Sequence, residues 1–564
     1  MIAWQLRKFL RAVYEKIEVN YEQLNELAKI INNSKIPIVI LPSHRSYIDY
    51  LVVPYLLFSF GIKMPYIAAA EDFLEISIIN KLFKYSGAFC IKHGKNSDSL
   101  YKAILTEYIQ QLLKDQQVVE FFIEENRSRS GKISQPKVGL LSMCAETFYQ
   151  GIVPDVKFLP ININYDRVLE GETFPFEPLE REKAQESLSR IINSVKILSR
   201  NFGKIHIVIG DLISLKDFST SLELNPVVNE AHRVVVTKKL SQEVVLRLQE
   251  KLAIPISTLV ASILMMHRNG ISEDNLVKKV EWLSDEIKFR GYTVADLDEK
   301  NVSIAVRNAL NHLGSVIRHK QDTFANIITV ESNYQNILML SYYRNTMHFI
   351  FALEAIIAIA IFSFGIKLTL GEGVHKKRLM EEINFLCTLL ESEYCLRESI
   401  CDPESQAKAI EMLIKRGMIE DIEGKYRLIR SGELGINFLC SLIWPLLDTY
   451  WIVISFCNSL RNKDPLPYKE FIQGIQPFAE NLFGDKSIFY YESQDNINRV
   501  VKNFENMKIL ENSSVGVVFT RDYLKDKVKV QELLDHINKF RKKYPVKMIN
   551  QHENFKQVLL PEFS

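Results

Sequence analysis

Several signatures that would assign a function at once are missing from this sequence. It has no GxSxG nucleophile elbow, no phosphate-binding GxxxxGK[ST] loop and no HExxH zinc motif. Their absence removes the commonest serine-hydrolase, nucleotide-hydrolase and metallopeptidase readings. Cysteine is sparse and unpaired: Cys90, Cys144, Cys387, Cys395, Cys401, Cys440 and Cys457 are odd in number and never spaced as CxxC. That pattern fits reduced thiols and speaks against a disulfide framework or a cysteine-ligated zinc, so no metal is expected. Neither sign of charge dominates, with 70 Lys and Arg against 68 Asp and Glu. No long block of like charge occurs, and nucleic acid is not an expected partner. The first residues, MIAWQLRKFLRAVYEKIEV, lack a continuous apolar run and read as an amphipathic helix, not a secretory signal. The last three, Glu562, Phe563 and Ser564, are not a peroxisomal address of the Ser-Lys-Leu kind.

What is present is enough apolar residue, 47% of 564, to build two or three folded domains. From Ile36 to Asp211, short β-rich runs alternate with helical stretches. The expected strands are Pro37–Leu41, Pro65–Ala69, Gly87–Ile91, Val118–Ile123, Lys157–Asn164 and Ile205–Gly210. Most are near-continuous apolar runs, as in strands covered on both faces. Helical patterns such as Ser99–Lys114 and Leu179–Ser199 lie between them. The alternation predicts an α/β layer with a mostly parallel sheet. Beyond about residue 216 helical periodicity dominates, as in Thr237–Lys251 and Leu276–Phe289. The expected organisation is an N-terminal amphipathic helix (1–35), an α/β catalytic domain (36–215) and a large, mainly helical C-terminal region (216–564).

Two features of that region need a reading. Residues 349–368, FIFALEAIIAIAIFSFGIKL, are long enough to cross a hydrocarbon core. Glu354 favours a buried or membrane-dipping helix over a span, because an unpaired carboxylate in lipid is costly. Ala409–Ile429 and Asn498–Phe519 each read as helix, polar turn and short strand, the shape of a winged-helix hairpin. Neither helix is basic, and the pair does not establish an internal repeat.

The chemistry concentrates at strand ends. Leu41-Pro42-Ser43-His44-Arg45-Ser46-Tyr47-Ile48-Asp49 closes one strand and opens a helix. Residues five apart on a helix point about 140° away from each other. His44 and Asp49 therefore meet only if His44 sits in the turn and Asp49 in the first helical turn. An imidazole so paired can take a proton from a hydroxyl, while the carboxylate fixes its tautomer. A second strand runs into Phe121-Phe122-Ile123-Glu124-Glu125-Asn126-Arg127-Ser128-Arg129-Ser130-Gly131-Lys132, where cations and hydroxyls suit a phosphate. Gly87–His93 ends on Lys92 and His93, and Phe158–Tyr165 carries Pro160, Asn164 and Tyr165. Four such ends form one crevice in an open α/β sheet.

In order, these segments resemble the four motifs of the glycerolipid acyltransferase superfamily. Within it, LPSHRSYIDYL, SGAFCIKH, FFIEENRSRSGK with QPKVGLL, LPININYDRVLE and GKIHIVIGDLISL are most similar to the dihydroxyacetone phosphate acyltransferases, and next to the glycerol-3-phosphate acyltransferases. The likeness is close from Ile36 to about Leu215 and looser through Ile254–Arg268 and Tyr342–Phe351. It implies His44 as catalytic base with Asp49 as partner. Lys92, His93, Glu124, Arg127, Ser128 and Arg129 would bind the acceptor phosphate, and Pro160 would lie on the acyl-donor side. It also implies acyl-CoA as co-substrate, no metal or organic cofactor, a phosphorylated triose acceptor and a membrane surface. An ether-lipid synthesis enzyme would be a partner. The implied location is the peroxisomal membrane, with mitochondrial outer membrane, endoplasmic reticulum and bacterial membrane left open. Three positions depart from the family pattern: Glu125 replaces a glycine, His93 an arginine and Cys90 an aromatic residue.

The expected function is acyl transfer from acyl-CoA to dihydroxyacetone phosphate, the first step of ether phospholipid synthesis. Glycerol-3-phosphate is the alternative acceptor. The alternative from another class is a non-catalytic membrane scaffold built on a degenerate acyltransferase domain.

Overall fold

The structure, a computed structural model, describes residues 2–70, 87–91, 98–125, 127–169, 201–295, 301–321, 326–331, 334–461, 464–483, 494–513 and 516–541. The chain divides into two compact units: 1–264 with 270–329 and 342–346, and 265–269 with 330–341 and 347–564.

The first unit is built on an eight-stranded sheet. Its strands are β1 (Lys16–Glu18), β2 (Ile38–Pro42), β3 (Tyr66–Ala70), β4 (Phe89–Ile91), β5 (Val119–Glu120), β6 (Lys157–Tyr165), β7 (Lys204–Ile209) and β8 (Ile213–Ser214). The order is β1-β7-β6-β2-β5-β3-β4, with β8 also on β6. Strands β6, β2, β5, β3 and β4 run parallel, β7 and β8 run antiparallel to β6, and β1 is parallel to β7. All five residues of β2 are buried. This explains its unbroken apolar sequence: a strand covered on both faces has no polar side to alternate. All six strands expected between residues 36 and 211 are present, and Ser99–Lys114 is a helix with those ends. The helical stretch Leu179–Ser199 lies outside the described residues.

Residues 2–35 hold two amphipathic helices, where the sequence suggests one. Helix α1 (Ile2–Val13) and helix α2 (Tyr21–Asn33) are separated by β1. The strand forms because Ile17 can pair with Ile205 at the edge of β7, and Asn20 then restarts the helix by accepting the Gln23 N–H. Helix α3 (Asp49–Ser59) follows β2.

Among the described residues a strand–helix–helix–hairpin unit recurs three times, a repeat that the two look-alike segments in the sequence do not establish. In the first unit it comprises Ile271–Ser272, Glu273–Phe289, Val302–Leu313, Ile317–Gln321 and Asn326–Val330. In the second it comprises Val374–His375, Lys376–Leu390, Pro403–Lys415, Ile419–Ile422 and Lys425–Leu428, and again Leu466, Tyr468–Phe483, Gln494–Asn506, Leu510–Ser513 and Gly516–Phe519. Each time the opening residue pairs antiparallel with the last hairpin strand: Ile271 with Ile328, Val374 with Tyr426, Leu466 with Val517. Each time a left-handed residue ends the second helix: Gly314, Gly417 or Lys508. This is winged-helix topology. The middle copy's second helix pairs Glu404 with Lys408 and Glu411 with Lys415, so it offers no basic face.

The second unit is mainly helical. Residues 349–368 are divided among a 3-10 turn, the helix Ala352–Phe362 and the short helix Ile366–Leu370. Eleven residues rise only about 16 Å, roughly half a hydrocarbon core. That helix is buried, Glu354 included. Among the described residues, one helix is long and apolar enough to cross a membrane, the stretch containing Glu433–Ser459, and most of it is buried in the unit. The protein is thus a mostly parallel α/β sheet core followed by a large, mainly helical C-terminal region.

Candidate active site

The site grows from the turn between β2 and α3. Strand β2 stops at Pro42, and Ser43 continues the ladder for one bond by donating its N–H to the Ile161 carbonyl at 2.9 Å. The Ser43 hydroxyl accepts the Ile163 N–H at 2.9 Å, which fixes the turn to the top of β6. His44 follows, and Asp49 is the first residue of the helix.

Asp49 organises the turn. Its Oδ2 accepts the backbone N–H of Arg45 at 2.6 Å and of Ser46 at 2.8 Å, and lies 3.1 Å from His44 Nδ1. Its Oδ1 accepts the Tyr165 hydroxyl from the end of β6. Four donors on a fully buried carboxylate hold it in one orientation. The imidazole is fixed as firmly. Phe122 stacks on it with centroids 4.0 Å apart, and Tyr50 meets its edge at 5.2 Å. With Nδ1 on Asp49, the other ring nitrogen, Nε2, remains to accept a proton from a ligand. Burial, then the neighbouring Asp49, keeps the Tyr50 hydroxyl protonated well above its ordinary range.

The second loop is tied to the first by Glu124. One carboxylate oxygen accepts the His44 N–H at 2.9 Å and the other the Ser134 N–H at 3.0 Å. Glu124 is therefore a clasp between the two loops. Arg45, 1% exposed, donates to the Gly131 carbonyl at 2.5 Å, and Asn345 donates to the Ser130 carbonyl at 2.9 Å. Gly131 has a φ of 83°, and a Cβ there would sit 1.9 Å from the Tyr342 carbonyl oxygen, so only glycine fits. Glu125 also adopts a left-handed φ, 65°, which explains why the family pattern favours glycine at that position. Its side chain is exposed.

The other expected residues fall as follows. The Arg127 guanidinium lies over the Tyr47 ring, 3.2 Å from its centroid. The Ser128 N–H approaches the His44 carbonyl at 3.5 Å, and among the described residues its buried hydroxyl has no hydrogen-bond partner. Arg129 is half-buried in the same loop. Pro160 sits inside β6, paired with Leu41. Lys92 and His93 lie outside the described residues. The structure thus gathers His44, Asp49, Glu124, Arg127, Ser128 and Arg129 at the ends of β2 and β5. It brings in Tyr165, one of the expected strand-end residues, through its hydroxyl on Asp49. It adds Phe122, Tyr50 and Arg45, which no pattern in the sequence marks. Among the described residues no group of three or more His, Cys, Asp or Glu side chains could hold a metal ion.

The chain matches two family models: acyltransferase over residues 17–164 and glycerol-3-phosphate acyltransferase C-terminal region over residues 180–513. It is 29% identical to dihydroxyacetone phosphate acyltransferase of Mus musculus, over 87% of this chain and 74% of that one. It is 25% identical to mitochondrial glycerol-3-phosphate acyltransferase 1 of Homo sapiens, over 96% of this chain and 77% of that one. Among solved structures, the 1-acyl-sn-glycerophosphate acyltransferase PlsC of Thermotoga maritima aligns at 16% identity over 43% of this chain and 80% of that one. Its TM-score is 0.25, too low to carry an argument. The chain belongs to the glycerolipid acyltransferase superfamily, among the dihydroxyacetone phosphate and glycerol-3-phosphate acyltransferases, and its general activity is acyl-CoA-dependent O-acyl transfer.

Proposed function

We propose that the chain transfers a fatty acyl group from acyl-CoA to the hydroxyl of dihydroxyacetone phosphate, opening ether phospholipid synthesis. The observation that carries this reading is the His44–Asp49 contact, with Asp49 held by three further donors. His44 Nε2 draws the proton from the acceptor hydroxyl, the oxygen attacks the thioester carbonyl, and coenzyme A leaves as a thiolate. Asp49 stabilises the imidazolium formed in that step. Arg127, Ser128 and Arg129, with Lys92 and His93, hold the acceptor phosphate. Glu124 contributes by fixing the loop that carries them. Pro160 shapes the acyl-donor side from within β6.

Glycerol-3-phosphate is the second reading, favoured by the family model over residues 180–513 and by the similarity to mitochondrial glycerol-3-phosphate acyltransferase 1. Competing the two acceptors against one labelled acyl-CoA tests the choice. Acyl-dihydroxyacetone phosphate should dominate the products; dominant lysophosphatidate would overturn the acceptor assignment. The intact pair argues against a catalytically silent scaffold. A protein that binds acyl-CoA yet releases no thiol with either acceptor would restore that alternative.

The acylated product is amphiphilic, which supports action at a lipid membrane surface; the proposed location is the peroxisomal membrane, beside a further ether-lipid enzyme. Imaging a tagged chain against peroxisomal, mitochondrial and endoplasmic reticulum markers tests the location.

A further inference from the structure

Behind the His44–Asp49 pair lies an acid that the mechanism above does not use. Glu120 is in β5, where its backbone pairs with Ile40 of β2 and Ile67 of β3. Strand alternation puts its side chain on the same face as Phe122, the ring stacked on His44. Glu120 is wholly excluded from water, and among the described residues neither carboxyl oxygen has a hydrogen-bond partner. Helix α3 brings Asp49 and Tyr50 towards it. The sheet offers only Ile40 and Ile67 at its own level, and β2 carries no titratable residue. No cation on α3, β2 or β3 faces it.

Among the described residues no hydrogen bond or ion pair stabilises a carboxylate in that position. Burying an ionised, unpaired carboxyl costs several kcal/mol. The donors of the adjoining turn are already on Asp49: two backbone amides, the Tyr165 hydroxyl and the His44 ring. We propose that Glu120 is a neutral carboxylic acid in the working enzyme, a positioning residue whose ionisation disables the His44–Asp49 pair. Burial first, and then the charge of Asp49, hold its titration well above the ordinary carboxylate range.

The consequence is directional. When Glu120 loses its proton, a second negative charge appears beside Asp49. It must draw donors away from Asp49 or admit water to the packing around Phe122 and Tyr50. Either change loosens the partner that orients His44, so activity should fall on the alkaline side with the loss of one proton. The stability sign is set by the same raised value. The unfolded chain releases the Glu120 proton in the ordinary carboxylate range, whereas the folded chain holds it well above that range. The contribution of Glu120 to stability is therefore fully present below the unfolded value and is lost as pH rises through the folded one.

This inference rests on the reading of His44 as the base, but two of its three readouts do not depend on activity. The first compares the wild type with E120Q. Infrared titration of the wild-type protein should show a carbonyl-stretch band of a protonated carboxylic acid at neutral pH, lost in E120Q. Second, the melting temperature of the wild type should fall relative to E120Q as pH rises above the ordinary carboxylate range. Third, E120Q cannot ionise, so its alkaline limb of kcat should lie at least about one pH unit above that of the wild type. A wild-type protein with no protonated-acid band at neutral pH would overturn the proposal. So would coincident alkaline limbs in wild type and E120Q. Full activity in H44A would instead remove the base assignment and leave the infrared result standing.

Discussion

Replacing Asp49 by asparagine separates the structural work of this residue from its chemical work. Alanine would strand four donors at once and could unfold the turn. Asparagine has one oxygen, and the Arg45 and Ser46 amides require it at the Oδ2 position. The side-chain NH2 then faces Tyr165, whose hydroxyl can turn to accept. His44 Nδ1 still meets an oxygen, so its tautomer is preserved. What disappears is the charge. At 3.1 Å and an effective dielectric constant of about 20, a full ion pair is worth about 5 kcal/mol. The amide dipole retains part of that, leaving a loss of about 3–4 kcal/mol, or roughly 10²–10³-fold in kcat/KM. The fold should lose only about 2 kcal/mol, as charge-assisted hydrogen bonds become neutral ones. Steady-state release of coenzyme A thiol measures the first quantity and urea unfolding the second. Activity within about tenfold of wild type would refute the assigned role of the carboxylate.

Y165F removes the hydroxyl on Asp49 Oδ1; kcat/KM should drop about 10–100-fold, as for loss of a hydrogen bond to a charged group, with KM for acyl-CoA unchanged in the same assay. G131A forces a methyl group against the Tyr342 carbonyl oxygen at a left-handed φ; its urea midpoint should fall by the equivalent of more than about 2 kcal/mol. E125G relieves a left-handed side-chain residue and should stabilise by up to about 1 kcal/mol, whereas E125V should destabilise, both read from the same unfolding curves.

Legibility in the sequence followed burial. The strands of the sheet were readable because they are buried on both faces, as the wholly buried β2 illustrates. Strand β1 was not, since three residues at an edge carry too little pattern and the flanking helices swamp it. The threefold unit hid for a similar reason: its opening strand is two residues in two copies and a single bridge at Leu466 in the third. The helix Glu433–Ser459 is masked in the sequence because Pro445 and Asp448 interrupt an otherwise apolar run. At the site, the five-residue spacing of His44 and Asp49 could be converted into a contact because the strand end and helix start were visible. Tyr165, Glu124 and Arg45 act through contacts made 80 or more residues apart, and local pattern does not encode their partners. Glu120 gave no signal, since a lone acid within an apolar run looks like an exposed edge until its neighbours in the sheet are known.

The most direct test of the central claim is acyl-CoA turnover by wild type and H44A with dihydroxyacetone phosphate as acceptor. Thiol release and acyl-dihydroxyacetone phosphate should appear together in the wild type, depend on the acceptor, and vanish in a folded H44A. Equal turnover by H44A, or thiol release that ignores the acceptor, would contradict the account.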